Sequence, residues 1–378
     1  MSLLARFMRR PIASTLLSIL AGVVISAIIL AFAGYNPFQA FALLLQGSLG
    51  SPKYITNVII KATPILLTGV AVSFAFQTGL FNIGAEGQYI AGTIAATIVG
   101  VTFSFPGPLQ IPLVLLSGAL AGALLGSFIG FLKARFGIHE VITSIMCNWI
   151  MLYLCNFVVS SEAFHKPNSN TALPINVSGY TMILPNWKLS DEGIDYLVQH
   201  PFLRDVLLKT DLNVGFIIAV AVAILAGLLL MRTKFGYELR AVGFNKDAAR
   251  FSGIEIQKSI VFCMAISGAI CGLAGALNIT GISPHTIGTL TAQEGYGFNG
   301  MSVAFIAGCS TTGCIPSSLL FSALVYGGMS VQQMLGVPSE IINIMIGIIV
   351  FSTALPGIAP WIASWLERRQ AMKEAQHG

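Results

Sequence analysis

The stretch Arg232 to Lys258, RTKFGYELRAVGFNKDAARFSGIEIQK, holds nine of the chain's 35 charged side chains (20 basic, 15 acidic in all), six of the nine basic. Apolar segments of membrane-spanning length lie on both sides of it, so the side on which this loop sits decides how the whole chain is threaded. Elsewhere charge is scarce. Charged residues make up 9% of the 378 and apolar residues 55%, where a soluble domain carries about 25% charged. This is the composition of an all-α polytopic membrane protein. A net charge of +5 in a soluble chain would suggest a nucleic-acid partner. Here the basic residues lie between or beside apolar segments, the pattern of loops kept on the inner side of a membrane, so lipid is the expected surroundings and nucleic acid is not.

Ten apolar segments are expected to span, at about 12–32, 54–78, 83–102, 111–132, 141–159, 213–231, 259–281, 296–312, 314–334 and 340–359. The first follows MSLLARFMRR, and its Ala31-Phe32-Ala33 has the form of a signal-peptidase site. Its length exceeds the roughly 7–15 residues of a signal-peptide core, so it counts as a span. Alternate threading from an inside N-terminus puts Arg6, Arg9, Arg10, Lys133, Arg135, the six basic residues of the opening loop, Arg368, Arg369 and Lys373 in the cytoplasm. Only Lys53, Lys166, Lys188, Arg204 and Lys209 fall outside, and Lys61 lies within the second span. The bias fixes the orientation: both termini, the tail 361–378 and the loop 232–258 are cytoplasmic. The hydrophilic excursion 160–212 is external, either a docking surface for a binding protein or a long connection.

Two spans are interrupted. GLFNIGAEGQYIAG (79–92) and GYGFNGMSVAFIAG (295–308) both carry Phe-Asn followed by glycine, and the threading runs them in opposite directions. Corresponding glycine-broken segments of opposite direction are the trace of inverted repeats, here two five-helix halves, with broken helices lining a path near the membrane midplane. Asn82, Glu86, Gln88, Asn148, Phe298 and Asn299 are the candidate path residues. A carboxylate such as Glu86 costs about 2.5–3.5 kcal/mol at the centre of a bilayer helix, so something must offset it. The alternative reading makes Asn82 a helix N-cap and Glu86 a first-turn acid favoured by the helix dipole. For Asn148 and Asn299 an interhelical hydrogen bond competes with solute contact. A path with amides and hydroxyls and almost no titratable series suits a neutral polar solute.

Inside the cytoplasmic loop Asn245 is placed to cap a helix of about two turns, with Asp247 in its first turn, Arg250 in its last and Gly253 at its end. Ala248 and Ala249 leave room for another surface. Gly236 and Gly243 punctuate the approach, in which Leu239, Ala241 and Val242 supply apolar contacts a free connector does not need and Arg240 is a further coupling candidate. The six cysteines (147, 155, 263, 271, 309, 314) show no metal-ligand spacing and read as small apolar fillers. The chain has no Gly-Lys dipeptide and hence no phosphate-binding loop, and no His-Glu-X-X-His site. It is therefore not expected to be an enzyme. An intramembrane enzyme using Glu86, His139 or His285 is the weaker reading, since the threading separates them.

LRAVGFNKDAARFSGI (239–254) and GLFNIGAEGQ (79–88), with KATPILLTGVAVSFAF (61–76), HEVITSIMCNWI (139–150), ISGAICGLAGA (266–276) and GYGFNGMSVAF (295–305), resemble membrane subunits of bacterial ABC importers. The superfamily is that of branched-chain amino-acid, simple-sugar and nucleoside permeases, and FNIGAEGQ looks most like the longer permease of nucleoside systems. The resemblance implies a subunit of the cytoplasmic membrane whose coupling helix, here Asn245 to Gly253, docks on a separate ATPase subunit that holds ATP and magnesium. It also implies an extracytoplasmic binding protein or lipoprotein and a second, usually non-identical permease subunit. Ser310-Thr311-Thr312-Gly313 departs from the Asn-Pro step of many relatives, which leaves a pentose or branched-chain amino-acid permease as alternatives. A stand-alone secondary transporter would leave the cytoplasmic loop without a task.

Overall fold

The computed structural model describes residues 11–354, and among these there are helices and isolated bridges but no strand. Arg6, Arg9, Arg10, Arg368, Arg369, Lys373, the tail 361–378 and the last residues of the tenth segment lie outside the described residues. In chain order the helices are α1 (Pro11–Phe32), α2 (Pro37–Leu49), α3 (Pro52–Gln77), α4 (Ala85–Thr102), α5 (Gly107–Phe136), α6 (Glu140–Ser160), α7 (Asp191–Gln199), α8 (Gly215–Arg232), α9 (Lys234–Phe244), α10 (Lys246–Phe251), α11 (Ile256–Gly281), α12 (Tyr296–Ile306), α13 (Cys314–Leu335) and α14 (Ser339–Ala354). Each of the ten apolar segments holds a helix among the described residues, the eighth only as far as Ile306. Six (α3, α5, α6, α8, α11, α13) are long and apolar enough to cross a membrane, and shorter apolar stretches lie at Leu17–Phe32 and Ser339–Thr353.

By packing the chain falls into two compact units, residues 51–322 and the described parts of 1–50 and 323–378. In the smaller unit α1 lies on α14, with Gly22 against Ile349 and Ser352 and the Ser26 hydroxyl donating to the Met345 carbonyl at 3.2 Å. Helix α2 was not expected from the sequence. Its start is written there all the same: Pro37 takes the first position, and the Asn36 side chain accepts from the Phe38 and Gln39 amides.

In the larger unit α5 and α11 meet along small residues. Gly118, Gly122 and Gly126 recur every four positions on α5 and face Gly272, Gly268 and Met264 of α11 so closely that a Cβ on Gly272 would stand 2.1 Å from the Gly118 carbonyl oxygen. Backbone-to-backbone contact of this kind replaces the hydrophobic driving force that helices lack in lipid. On its opposite side α5 exposes Leu116, Leu120, Leu124 and Phe128, an apolar outward face that suits acyl chains rather than water.

The excursion 160–212 is folded onto this unit. Asn176 donates from its side chain to the Gly100 and Phe103 carbonyls at the end of α4, and Ala172, Ile175 and Thr181 bond through their amides to Ile287, His285 and Thr280. His285 stacks on Tyr180 with ring centroids 3.7 Å apart and its Nδ1 lies 2.9 Å from the Ile279 carbonyl. Burial lowers the pKa of this imidazole.

Candidate functional site

Helix α12 runs alongside α3 in the same direction. The Thr68 hydroxyl donates to the Tyr296 carbonyl at 2.9 Å, Gly69 faces Val303, and Phe76 meets Phe305 with ring centroids 6.1 Å apart. Counting Pro52 as the first of the 26 residues of α3, Thr68 is the seventeenth. Helix α12 therefore starts roughly 24 Å along α3 and roughly 14 Å short of its end, at about 1.5 Å per residue. Its 11 residues cover about half of a 30 Å hydrocarbon layer. After α3 ends, the chain turns back beside it: the Asn82 amide nitrogen donates to Ser267 Oγ at 2.7 Å, and Ser267 donates to the Ala71 carbonyl. Helix α4 then begins at the level where α12 begins.

Glu86, in the first turn of α4, joins the two starts. It is fully buried, and its carboxylate accepts from the Gly295 amide at 2.7 Å and the Gly297 amide at 2.6 Å. Two charge-assisted bonds at roughly 1.5–3 kcal/mol each, with the positive ends of two helices nearby, match or exceed the 2.5–3.5 kcal/mol or so that a mid-membrane carboxylate costs. A Cβ on Gly297 would lie 2.3 Å from the Glu86 amide nitrogen, so only glycine lets the two helix starts approach this closely.

The other candidate path residues divide by exposure. Asn82 and Gln88 are fully buried and bond to each other through both amides, at 2.8 and 3.2 Å. Asn82 is not the N-cap of α4; Gly84 holds that place, with no side-chain cap. Asn148, also buried, accepts from the Gly87 amide at 2.8 Å and donates to the Ile83 carbonyl at 3.1 Å, clamping the turn before α4 from α6. Phe298 is exposed and Asn299 half-exposed on α12. Beside them the exposed Glu294 accepts from the buried Tyr89 hydroxyl through Oε2 at 3.1 Å. Glu294 was missed in the sequence because it precedes the apolar segment by two residues. His139 is exposed at the start of α6 and His285 is buried against Tyr180. Among the described residues no hydrogen bond or ion pair joins Glu86, His139 and His285 to one another.

The loop 232–258 folds into two helices. Thr233 caps α9, its hydroxyl accepting from the Gly236 amide at 3.0 Å. Gly236 and Gly243, expected as punctuation, lie inside α9, where the helix presses on its surroundings. A Cβ would stand 2.1 Å from the Leu229 carbonyl oxygen at Gly236, and 2.4 Å from the Gln77 carbonyl oxygen at Gly243. Leu239 is buried, and Arg240 and Ala241 are half-buried. Asn245 caps α10 by accepting from the Asp247 and Ala248 amides, both at 3.0 Å, and Gly253 closes it with φ +81°. Ala249 packs inward and Ala248 is exposed. Phe244, which ends α9, and Phe251, which ends α10, are 98% and 94% exposed.

The sequence family described as "Branched-chain amino acid transport system / permease component" matches residues 54–354. The guanosine ABC transporter permease protein NupP of Bacillus subtilis is 34% identical over 94% of this chain and 97% of its own length. The nucleoside ABC transporter permease protein NupB of Lactococcus lactis is 32% identical over 97% and 96%. The glucose ABC transporter permease protein TsgB13 of Haloferax volcanii is 27% identical over 88% and 84%.

Proposed function

Because this chain belongs to the family of permease components just described, we propose that it is the membrane-spanning subunit of an ATP-driven importer of nucleosides. Similarity over nearly the full length to permease proteins for guanosine and nucleosides supports that solute class. The ATPase is a separate subunit, which binds ATP and magnesium. A binding protein or lipoprotein delivers solute at the outer face, and a second, non-identical permease completes the path. Both termini and the loop 232–258 are cytoplasmic.

The observation that carries the reading is α10, a short helix capped at both ends that follows Phe244 and ends in Phe251. Two nearly bare aromatic rings, one just before a capped helix and one at its end, are suited to filling pockets in a partner, where each ring buries surface worth roughly 1.5–3 kcal/mol. Gly243, one residue before this pair, rests on the Gln77–Gly79 turn that leads to Asn82 and Glu86. A movement imposed on α10 therefore reaches the starts of α4 and α12 through packed backbone. In this reading the buried Asn82, Glu86, Gln88 and Asn148 hold the two short helices in register, while Phe298 and Asn299 face the solute.

Phe244→Asp with Phe251→Asp is expected to leave the subunit inserted in the membrane, to remove the ATPase from the purified complex, and to lower labelled guanosine uptake at least tenfold. ATPase retention with normal uptake would refute the coupling assignment. TsgB13 keeps a second solute class in view. Competition of labelled guanosine uptake by unlabelled uridine, but not by glucose or ribose, is expected, and the reverse pattern would favour a sugar.

A further inference from the structure

Glu294, exposed as a residue, lies two positions before α12 and well inside the length of α3, and none of the ion pairs among the described residues involves it. Its side-chain hydrogen-bond partner is the Tyr89 hydroxyl, on Oε2. Tyr89 is buried, and its ring lies against Tyr296 with centroids 5.0 Å apart, so the hydroxyl is a fixed anchor. An ionisable group kept at membrane depth without a cationic partner marks a functional position. Phe298, in the first turn of α12, is exposed as well, and the Asn299 side-chain amide, for which no hydrogen bond is seen among the described residues, lies 3.9 Å from where a Cβ on Gly295 would stand, next to Glu294 in the chain.

We propose that Glu294, Phe298 and Asn299 form a solute-reading subsite, in which the Glu294 carboxylate accepts hydrogen bonds from the vicinal hydroxyls of a neutral ribosyl solute. An ionised carboxylate is an acceptor with about four lone-pair sites. Tyr89 occupies one of them and pins the group, leaving Oε1 for a donor pair. A ribose diol supplies two donors on adjacent carbons, and the Phe298 ring offers an apolar face to the base or the sugar. The neighbouring carboxylate, Glu86, is fully buried and already committed to the Gly295 and Gly297 amides. Of the two acids, Glu294 is the one with an oxygen left to offer a solute.

The inference rests on the proposed nucleoside reading, and the experiment separates the two. The native complex and the Glu294→Gln and Glu294→Asp complexes are reconstituted with the same binding protein, and maximal uptake of labelled guanosine and labelled 2′,3′-dideoxyguanosine is measured per complex. Any preference of the binding protein is common to all three, so the change in the ratio between complexes isolates the permease. The native complex is expected to move guanosine at least tenfold faster than the dideoxy compound, and Glu294→Gln to reduce that preference to within about threefold while complex yield is unchanged. Glu294→Asp should retain part of it. An unaltered preference in Glu294→Gln overturns the proposal, as does loss of the complex in both variants, which would assign Glu294 to subunit assembly. If neither nucleoside is moved, the nucleoside reading fails. A Glu294-dependent preference for ribose over 2-deoxyribose would then uphold the subsite, and its absence would overturn it.

Discussion

Glu86 shows how a residue that looks costly in the sequence is stabilised by groups more than 200 positions away. Its two amide donors belong to Gly295 and Gly297, and the bonds cross from α4 to α12. Glu86→Gln keeps the shape but removes the charge and turns an NH2 donor towards a backbone amide donor. That leaves at least one buried N–H unpaired, at about 1–3 kcal/mol. The expected result is a clear drop in thermal stability of the detergent-purified subunit for Glu86→Gln and a larger one for Glu86→Ala, measured by loss of monodisperse protein on heating. Unchanged melting in both would show that the carboxylate does not hold the two helix starts together. The sequence marked Asn82, Glu86, Gln88 and Asn148 as polar groups at membrane depth, and all four are buried and bonded. It carried no sign of which groups they bond, because Ser267, Gly295 and Gly297 are distant in the chain. Nor did it mark Glu294, whose position two residues before an apolar run reads as interfacial.

At the scale of elements, the apolar runs gave every membrane-length helix to within a few residues, since length and hydropathy are local properties. Helix α10 was equally legible, because an Asn cap, an early acid, a late base and a closing glycine all act within one turn of the ends they stabilise. Helix α9 was not. Its two glycines suggest breaks, yet each is there because a neighbouring backbone comes within reach of where a Cβ would be. The seam of α5 and α11 makes the same point with a repeat of four that was present in the sequence. Gly272→Val would push branched methyls into the Gly118 carbonyl, and overpacking of this kind costs about 1–3 kcal/mol. The variant is expected to lose yield and thermal stability. Gly347→Ala on α14 is the control: a Cβ there meets nothing within 4 Å, and replacing a helical glycine by alanine is expected to be neutral or stabilising by roughly 0.5–1 kcal/mol. Equal loss in both would mean that helix propensity, and not contact along the seam, governs these positions.

For the whole molecule the question is where the energy for transport enters. A carrier driven by an ion gradient needs a site that charges and discharges, or a cluster of oxygen ligands that holds the ion, in contact with the path. Glu86 is fully buried and bonded to two backbone amides, Asn82 and Gln88 satisfy each other, and the exposed Glu294 is pinned by the Tyr89 hydroxyl. The elaborated feature lies instead at the surface: a helix capped at both ends, ending in the bare Phe251, preceded by the bare Phe244, and tied through Gly243 to the turn before α4. In the proposed reading, energy delivered to that helix by a partner reaches the path by displacement of packed backbone. In cells holding a constant ATP level, uptake of labelled guanosine is therefore expected to fall by less than about twofold when a protonophore collapses the proton gradient. It should be abolished when the partner ATPase is deleted or its catalytic carboxylate is replaced. Uptake that survives loss of the ATPase and stops with the protonophore would place the driving force in the membrane potential or the proton gradient, and α10 would need another explanation.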